Sequence, residues 1–295
     1  MCFDAGLSCP NRDGKIGKRG CIFCSEGGSG EFSVNITRYF DKKVDITQSP
    51  VMIPNLNEAV REAVNDAKKQ VESKFQGNRF IAYFQAFSNT YGSIDYLTQI
   101  YDAVLRCEEI KVLSIATRPD CLNEEIYELL ERLVNIKPIW IELGLQTVKE
   151  ESISFIRRGY PNDVFDSAVR RLKSLGIHVI THVILYLPGE SKEDMLNTVR
   201  HAVAVGTDGI KLQELMILKG TDLCRLYENE DIDMKFHIPD MDEYIETVKE
   251  CIGILPENTV VHRMTGDPPK RLLVEPKWAW NKKKILNSFR MALLK

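Results

Sequence analysis

Three cysteines near the start of the chain have the spacing of a metal or iron–sulfur site. Cys9, Cys21 and Cys24 lie in the segment DAGLSCPNRDGKIGKRGCIFC, and grouped thiolates are typical ligands of zinc and of iron–sulfur clusters. A zinc ribbon needs a second pair of cysteines or histidines, but the first histidine along the chain is His178. Three ligands suit a [4Fe–4S] cluster with one iron left open for another molecule. A zinc site completed by Cys2 and a redox-active cysteine pair remain the alternatives.

The elements that must position these cysteines alternate between apolar runs and amphipathic segments. Residues 6–38 show no sustained periodicity and predict a long loop, which in a compact domain is usually functional. Beyond it, the alternation predicts an α/β fold with a parallel sheet covered by helices. The predicted strands are 79–86, 110–117, 138–144, 177–185 and 209–217, with Met1–Asp4 as a sixth and 259–264 as a further candidate. The predicted helices are 56–75, 93–107, 123–135, 162–175, 192–205, 241–255 and 280–295.

The composition describes a globular chain that is not basic overall. Hydrophobic residues make up 44% of the 295 residues and charged residues 27%, which allows a large core in one large domain or two small ones. The net charge of −3 excludes a protein that is basic throughout and coats nucleic acid. The sequence lacks the roughly 18 apolar residues of a membrane span and the features of a signal peptide. We therefore predict a cytoplasmic protein without membrane contact, in which the eight cysteines are not a disulfide framework.

The cysteine segment resembles that of a known family. The motif DAG-x-x-CPNRDG-x(5)-GGC-x-FC is similar to the radical S-adenosylmethionine (SAM) superfamily, and more narrowly to the bacterial YhcC/YtqA-type family related to the elongator catalytic subunit; Arg19 replaces a usual glycine. The resemblance implies a partial, open βα barrel of about six parallel strands over residues 1–217, with the cluster loop at 6–38. Residues 218–295 would form a C-terminal extension that packs on the barrel. It also implies a [4Fe–4S] cluster on Cys9, Cys21 and Cys24, where SAM is reductively cleaved to a 5′-deoxyadenosyl radical.

The resemblance extends to polar residues that follow the predicted strands, where ligands of βα barrels bind. It implies that Arg158, in IRRGY, pairs with the methionine carboxylate, a task that suits a planar guanidinium. Glu142 is flanked by Ile141 and Leu143, so its side chain points the opposite way and is predicted to face the barrel interior. Arg118 is a candidate for the cofactor region or a substrate phosphate, with a solvated loop arginine as the alternative. The predicted cofactor-binding residues are Gln85, Asn89, Arg118, Glu142, Gln146 and Arg158.

Three further residues are predicted to act on the substrate. His182 begins the segment HVILYLPGE, which resembles the family's fifth-strand motif with Tyr186 in place of a usual glycine. We predict that His182 is a proton donor, and a hydrogen-bonded structural histidine is the alternative. Lys211 and Gln213 are two residues apart on a predicted strand and therefore share a face. They complete the predicted catalytic set.

The C-terminal residues differ in charge from the rest of the chain. Residues 270–295 contain eight basic residues and one acidic residue, which gives them a net charge of +7. Because the whole chain has a net charge of −3, residues 1–269 carry −10. Phosphates attract such charges, and unstacked bases stack on indole rings. We predict that Lys282, Lys283, Lys284 and Trp280 contact RNA, because the elongator-like relatives modify RNA. The alternative is a solvated helix face with packed tryptophans.

The predicted function is a radical SAM enzyme that modifies the wobble uridine side chain of tRNA. Such an enzyme would need an electron donor of the flavodoxin or ferredoxin type. One alternative is a radical SAM enzyme that acts on a small metabolite. Another is a non-enzymatic metal or iron–sulfur scaffold or sensor.

Overall fold

The computed structural model describes residues 1–229 and 236–293, so the last two residues of the predicted terminal helix lie outside the described residues. By its internal contacts the chain divides into two compact units. The first unit contains Met1–Lys18, Gly27–Leu143 and Arg171–Val179, and the second contains Arg19–Glu26, Gly144–Arg170 and Ile180–Lys295. The predicted cluster loop is therefore shared: Cys9 belongs to the first unit, and Cys21 and Cys24 to the second.

In the first unit, strands and helices alternate as the apolar pattern predicts. Its strands are β1 (Cys2–Asp4), β2 (Val34–Asn35), β3 (Phe80–Phe84), β4 (Ile110–Thr117) and most of β5 (Ile139–Gln146). Its helices are α1 (Leu56–Val71), α2 (Ile94–Leu105) and α3 (Glu124–Val134). The side chains of Ser93 and Asn123 accept backbone N–H bonds at the starts of α2 and α3, which satisfies groups that helix ends leave unpaired.

The second unit continues the alternation and adds short elements near the C-terminus. Its helices are α4 (Glu150–Phe155), most of α5 (Asn162–Ser174), α6 (Lys192–Val205), α7 (Asp222–Glu228), α8 (Met241–Ile254) and α9 (Lys282–Leu293). Its strands are most of β6 (His178–Leu185), β7 (Gly209–Glu214), β8 (Ile217–Leu218), β9 (Val260–Arg263) and β10 (Leu273–Glu275). On α9, Ile285 and Phe289 are buried in one core cluster with residues of α8, β6 and β7. The four-residue spacing of this pair makes α9 amphipathic.

Across residues 1–229 and 236–293, the main sheet has eight strands in the order β2-β1-β3-β4-β5-β6-β7-β9. Its pairings β1–β3, β3–β4, β4–β5, β6–β7 and β7–β9 are parallel. The predicted class, a parallel α/β sheet with helices, is confirmed. The candidate strand at 259–264 is β9, and β2 was not predicted. A separate antiparallel pair joins β8 to β10.

The differences from the predicted elements are confined to short segments. The predicted loop 6–38 ends in β2 and in a 3-10 helix at Ile36–Tyr39. Trp280 belongs to a 3-10 helix, Lys277–Trp280, and not to the terminal α-helix. The division into domains at residues 217 and 218 stays a prediction. In the part of the chain that the structure describes, no helix is both long enough and apolar enough to span a membrane.

Candidate functional site

The first part of the cysteine loop is fastened to the end of β1. Asp4 Oδ1 accepts the backbone N–H of Gly6 at 2.7 Å, and Oδ2 accepts from Asn35 Nδ2 at 2.9 Å. Gly6 has a φ of +71°, a conformation that glycine adopts without steric cost. The carbonyl of Cys9 accepts the N–H of Arg12 at 2.8 Å. Cys9 therefore lies on a hydrogen-bonded turn, and its side chain is half-buried.

Cys21 and Cys24 lie on a turn that is bonded to residues following β5. The backbone N–H of Cys24 donates to the carbonyl of Cys21 at 3.0 Å, and Ile22 N–H donates to the carbonyl of Ile156 at 3.2 Å. The Sγ of Cys21 donates to the carbonyl oxygen of Arg157 at 3.8 Å. Both the backbone and a thiol of this turn are thus held within the second unit.

A carboxylate at the start of α7 reinforces the same turn. Asp222 accepts hydrogen bonds from Arg19 and, at 2.5 Å, from Arg157, and Leu223 N–H donates to the carbonyl of Ile22 at 2.9 Å. Burial favours the neutral form of Asp222, but the guanidinium groups of Arg157 and Arg19 outweigh it and lower the pKa of the carboxyl. Arg19, which replaces the family's usual glycine, therefore forms an ion pair with Asp222.

The cysteines, all of which lie in the described residues, form no disulfide. Burial raises the pKa of four further thiols, those of Cys107, Cys121, Cys224 and Cys251. Within residues 1–229 and 236–293, no group of three His, Cys, Asp or Glu side chains has a geometry that could hold a metal ion. The assignment of Cys9, Cys21 and Cys24 as cluster ligands stays a prediction.

At the end of β3, two predicted cofactor residues hold the local backbone. Asn89 is fully buried, and its Nδ2 donates to the carbonyls of Phe84 at 3.1 Å and Ala116 at 2.9 Å, which joins the ends of β3 and β4. Its Oδ1 is buried without a donor from the described residues. Gln85 Nε2 donates to the carbonyl of Ser29 at 2.6 Å. Asn89 therefore keeps one oxygen that could accept a bond from a ligand.

The two charged residues predicted to bind the cofactor directly after β4 and on β5 are both hydrogen-bonded within the first unit. Arg118 donates from Nε and Nη2 to the carboxylate of Asp120 at 2.9 and 2.7 Å. Glu142 is 4% exposed, and its Oε1 accepts from Ser114 Oγ on β4 at 2.7 Å. Their roles toward a cofactor stay predictions.

The end of β5 is a strained turn that presents Gln146. Gln146 has a φ of +65°, which is uncommon for a residue other than glycine. Its Oε1 is buried without a donor from the described part of the chain. A Cβ on Gly144 would lie 2.7 Å from Gln146 Nε2 and 3.2 Å from the hydroxyl of Tyr160. Only glycine fits at position 144 while both side chains stay in place.

Arg158 holds this turn through its whole guanidinium group. The side chain is 1% exposed; Nη1 donates to the carbonyls of Leu145 and Thr147 at 2.7 and 2.8 Å, and Nε and Nη2 donate to the carbonyl of Tyr160 at 3.0 and 2.8 Å. Nη2 also donates to Asn162 Oδ1 at 2.9 Å. These five bonds use all five N–H donors of an arginine. The structure therefore gives Arg158 a positioning role, whereas the resemblance implies direct contact with a methionine carboxylate.

Glu190 is a half-buried acid that was not among the predicted site residues. It ends the segment HVILYLPGE; its Oε1 accepts from Thr147 Oγ1 at 2.5 Å, and its Oε2 is buried without a donor from the described residues. Burial raises the pKa of this carboxyl above its ordinary value. Its position directly after Pro188 and Gly189 at the end of a predicted strand is the sequence signal that could have identified Glu190.

The predicted catalytic residues lie on one face of β6 and β7. His182 pairs in register with Lys211, and Ile184 with Gln213, so the three predicted side chains share a face of the sheet. Lys211 is 7% exposed. On the opposite face, buried Glu214 accepts the N–H of Gly266 at 2.9 Å, and burial raises its pKa. The structure confirms the shared face, and the catalytic roles of these residues stay predictions.

Strained backbone marks the same strand ends. Among the described residues, the non-glycine positions with positive φ are Ser29, Phe87, Gln146, Arg157 and Tyr186. Phe87 and Tyr186 follow β3 and β6, and Gln146 is the last residue of β5. Ser29 lies in the cysteine loop, and Arg157 follows α4. Such conformations cost free energy and concentrate at functional sites. Phe87, Gln146 and Tyr186 therefore point to the C-terminal ends of β3, β5 and β6 as the candidate site.

Comparison with known families decides the identity of this fold. The model of the Radical SAM superfamily matches residues 14–202, and that of the Radical_SAM C-terminal domain matches residues 207–295. The chain belongs to the radical SAM superfamily. The first match includes Cys21 and Cys24 and begins after Cys9.

Individual radical SAM relatives cover most of the chain. The uncharacterized protein YtqA of Bacillus subtilis is 34% identical over 293 residues, which are 99% of this chain and 84% of YtqA, and it confirms the predicted YhcC/YtqA-type resemblance. The tRNA uridine(34) acetyltransferase of Methanocaldococcus jannaschii is 24% identical over 280 residues, 86% of this chain and 50% of that protein. The structure of Methanocaldococcus infernus Elp3 has a TM-score of 0.64 at 17% identity over 82% of this chain and 60% of that chain, and it supports the fold.

Radical SAM proteins generally bind a [4Fe–4S] cluster and SAM. The donor chemistry of this chain fits both groups. Cys9, Cys21 and Cys24 are half-buried thiols outside any disulfide, and thiolates are the ligands of iron–sulfur clusters. The buried oxygens of Asn89 and Gln146 can accept hydrogen bonds, and SAM carries amino and hydroxyl donors.

The basic C-terminal residues separate into different environments. Lys284 and Trp280 line one surface concavity, whereas Lys283 lines a neighbouring groove between α8 and α9. Lys282 Nζ donates to Asp267 at 2.5 Å. Of the four predicted RNA contacts, the structure thus brings Trp280 and Lys284 together.

Proposed function

We propose that this protein is a radical SAM enzyme that modifies tRNA, with the C5 side chain of a wobble uridine as its target. Membership of the superfamily carries the radical SAM part of the proposal. The tRNA part is supported by the similarity to an archaeal tRNA uridine(34) acetyltransferase and by the basic C-terminal residues.

In this proposal, Cys9, Cys21 and Cys24 hold the [4Fe–4S] cluster as thiolates and leave one iron for SAM. When bound, the cluster and SAM together supply reductive cleavage of the cofactor and a radical that acts on the substrate. The electron comes from a donor of the flavodoxin or ferredoxin type, in the cytoplasm. The contribution of the protein is to bind, orient and shield these groups.

The buried amide oxygens are the proposed SAM contacts. Asn89 Oδ1 and Gln146 Oε1 are acceptors without a donor in the described residues, so each is suited to an amino or hydroxyl group of SAM. Arg158 keeps the Gln146 turn in place through its five hydrogen bonds. Because these bonds use every donor of Arg158, we propose that a different residue binds the methionine carboxylate of SAM. Gln85, Arg118 and Glu142 remain further proposed contacts to SAM.

His182, Lys211 and Gln213 are the proposed substrate residues. Their shared face on β6 and β7 would let one substrate contact all three. His182 would donate a proton, and Lys211 and Gln213 would orient the substrate by charge and by hydrogen bonds.

A small metabolite is the second candidate substrate. Residues 1–269 carry a net −10, which disfavours an extended RNA contact. The first unit also contains a cavity of 590 Å³ lined by Leu7, Pro10, Asp13 and Tyr91 among others, within the size range of small-molecule sites.

Comparative nucleoside analysis of tRNA tests the proposed function. We expect one C5-modified uridine to disappear from cells that lack the gene and to return with the wild-type gene. A gene encoding Cys21→Ala should not restore it, whereas one encoding Cys107→Ala should. An unchanged set of tRNA nucleosides would overturn the tRNA proposal and favour the metabolite.

A further inference from the structure

A basic concavity lies beside the start of α9 in the second unit. It has a volume of 540 Å³. Its lining residues are Lys270, Lys277, Trp278, Trp280, Asn281 and Lys284. Three of the six are lysines and none is acidic, so the surface is suited to an anion.

Most of this positive charge has no acidic partner among the residues that the structure describes. In the described residues, no ion pair or hydrogen bond engages Nζ of Lys270 or Lys284, and Lys277 has a single ion pair, with Glu275 at 3.5 Å. The first turn of α9 contains three consecutive lysines and no acidic residue. Cations at that end oppose the helix dipole. A bound phosphate would relieve the repulsion among these lysines.

The two tryptophans of the concavity have different roles. Trp278 donates from Nε1 to the carbonyl of Pro239 at 2.8 Å, and its ring lies 5.1 Å from that of Tyr244. Trp278 is therefore a structural part of the floor. Trp280 is 45% exposed, so its indole face can stack on an unstacked base.

The neighbouring groove between α8 and α9 is less suited to phosphate. It has a volume of 670 Å³ and meets the concavity at Asn281 and Lys284. Its lining includes the acidic residues Asp242 and Glu246, which repel a phosphate. Both linings contain three lysines, so the lack of an acidic lining residue is what singles out the concavity beside α9.

We propose that this concavity binds single-stranded RNA. Phosphates would lie against Lys270, Lys277 and Lys284, and one base would stack on Trp280. This assignment rests on the proposed function, because it locates where the tRNA substrate is held. In this proposal Lys270 and Lys277 contact the RNA in place of Lys282 and Lys283, which do not line the concavity.

The test measures binding of an unmodified tRNA transcript to the full-length protein at several KCl concentrations. The variant carries Lys270→Ala, Lys277→Ala and Lys284→Ala. Loss of three phosphate contacts should weaken binding by about 10- to 100-fold near 0.1 M salt and reduce the salt slope by about two to three. The matched control carries Lys42→Ala, Lys43→Ala and Lys74→Ala, three exposed lysines of the first unit, and should bind like wild type.

Substitutions of Trp280 test the stacking contact separately. Trp280→Ala should weaken tRNA binding by about 5- to 100-fold, without a change in salt slope, while Trp280→Phe should restore most of the affinity. An unchanged melting temperature in both variants would show that the loss is not unfolding. Equal binding by Trp280→Ala and wild type would overturn the stacking contact.

The experiments distinguish an error in the proposed RNA site from an error in the proposed function. If wild type binds tRNA and both triple variants bind equally well with the same salt slope, the RNA site lies elsewhere and the proposed function stands. If wild type does not bind tRNA at any salt concentration and the cellular tRNA nucleosides are unchanged, both proposals are wrong.

Discussion

Asp222 accepts a hydrogen bond from Arg157 at 2.5 Å, and the carbonyl oxygen of the same arginine lies 3.8 Å from the Sγ of Cys21. A carboxylate in the segment matched as the Radical_SAM C-terminal domain thus helps to position a cysteine near the start of the chain. Arg19 adds a second ion pair to Asp222. Cys21 is therefore held by contacts that link three separate segments of the second unit.

Replacement of Asp222 by alanine should loosen the Cys21 turn. It removes charged hydrogen bonds to Arg157 and Arg19, and because both arginines are partly exposed we expect a loss of about 1–2 kcal/mol in the free energy of unfolding. Alkylation of Cys21 in the metal-free protein should become faster, as measured by peptide mass spectrometry. Asp267→Ala, which breaks only the surface pair with Lys282, is the control. The same Cys21 alkylation rate in both variants would contradict this role.

Replacement of Arg158 by alanine should destabilise the protein strongly. The change would remove the guanidinium donors from the buried carbonyls of Leu145, Thr147 and Tyr160, of which Leu145 keeps the backbone N–H of Thr147. The loss should cost about 3–5 kcal/mol by urea unfolding. Arg158→Lys should recover little, because one ammonium cannot reproduce the planar five-donor group. An Arg158→Ala protein of normal stability with weakened SAM binding would instead support the direct carboxylate contact.

Glu190 should make stability depend on pH. Burial raises the pKa of Glu190 above 4.5, so the folded state binds more protons than the unfolded state. Its stabilising contribution is full below about pH 4.5 and is lost as the pH rises through the folded pKa. Glu190→Gln should therefore gain stability relative to wild type between about pH 4.5 and 7, as measured by urea unfolding.

The exposed residue Glu257 provides the control for this pH dependence. The difference in stability between Glu257→Gln and wild type should stay constant over the same range. A constant difference for Glu190→Gln as well would contradict the raised pKa.

The cysteine variants should differ in iron content after anaerobic reconstitution. Wild type and Cys107→Ala should hold about four irons per chain, whereas alanine at Cys9, Cys21 or Cys24 should lose most of them. Iron and acid-labile sulfide analysis measures this directly. Full iron content in all three variants would exclude these residues as ligands.

The main strands could be predicted from the sequence because apolar runs of about five to eight residues have a recognisable pattern. The strand pair β8–β10 could not, because strands of two and three residues have no measurable period. Its pairing depends on contacts between distant segments, such as Leu273 with Leu218.

The site could be predicted only as a set of residue types at strand ends. The sequence predicts Gln146 and Arg158 as cofactor-binding residues, but the five hydrogen bonds of Arg158 depend on how the chain turns after β5. Likewise, Arg19 and Asp222 are far apart in sequence, and nothing local indicates their pairing. Trp278 and Trp280 look alike in the sequence, and only packing against Tyr244 distinguishes them.

The most direct test of the account is reductive cleavage of SAM by the purified, anaerobically reconstituted protein. Wild type and Cys107→Ala should release 5′-deoxyadenosine when SAM and dithionite are added, as measured by liquid chromatography. Alanine at Cys9, Cys21 or Cys24 should abolish this product. Release of 5′-deoxyadenosine by Cys21→Ala at the wild-type rate, or no release by wild type that holds about four irons, would contradict the account.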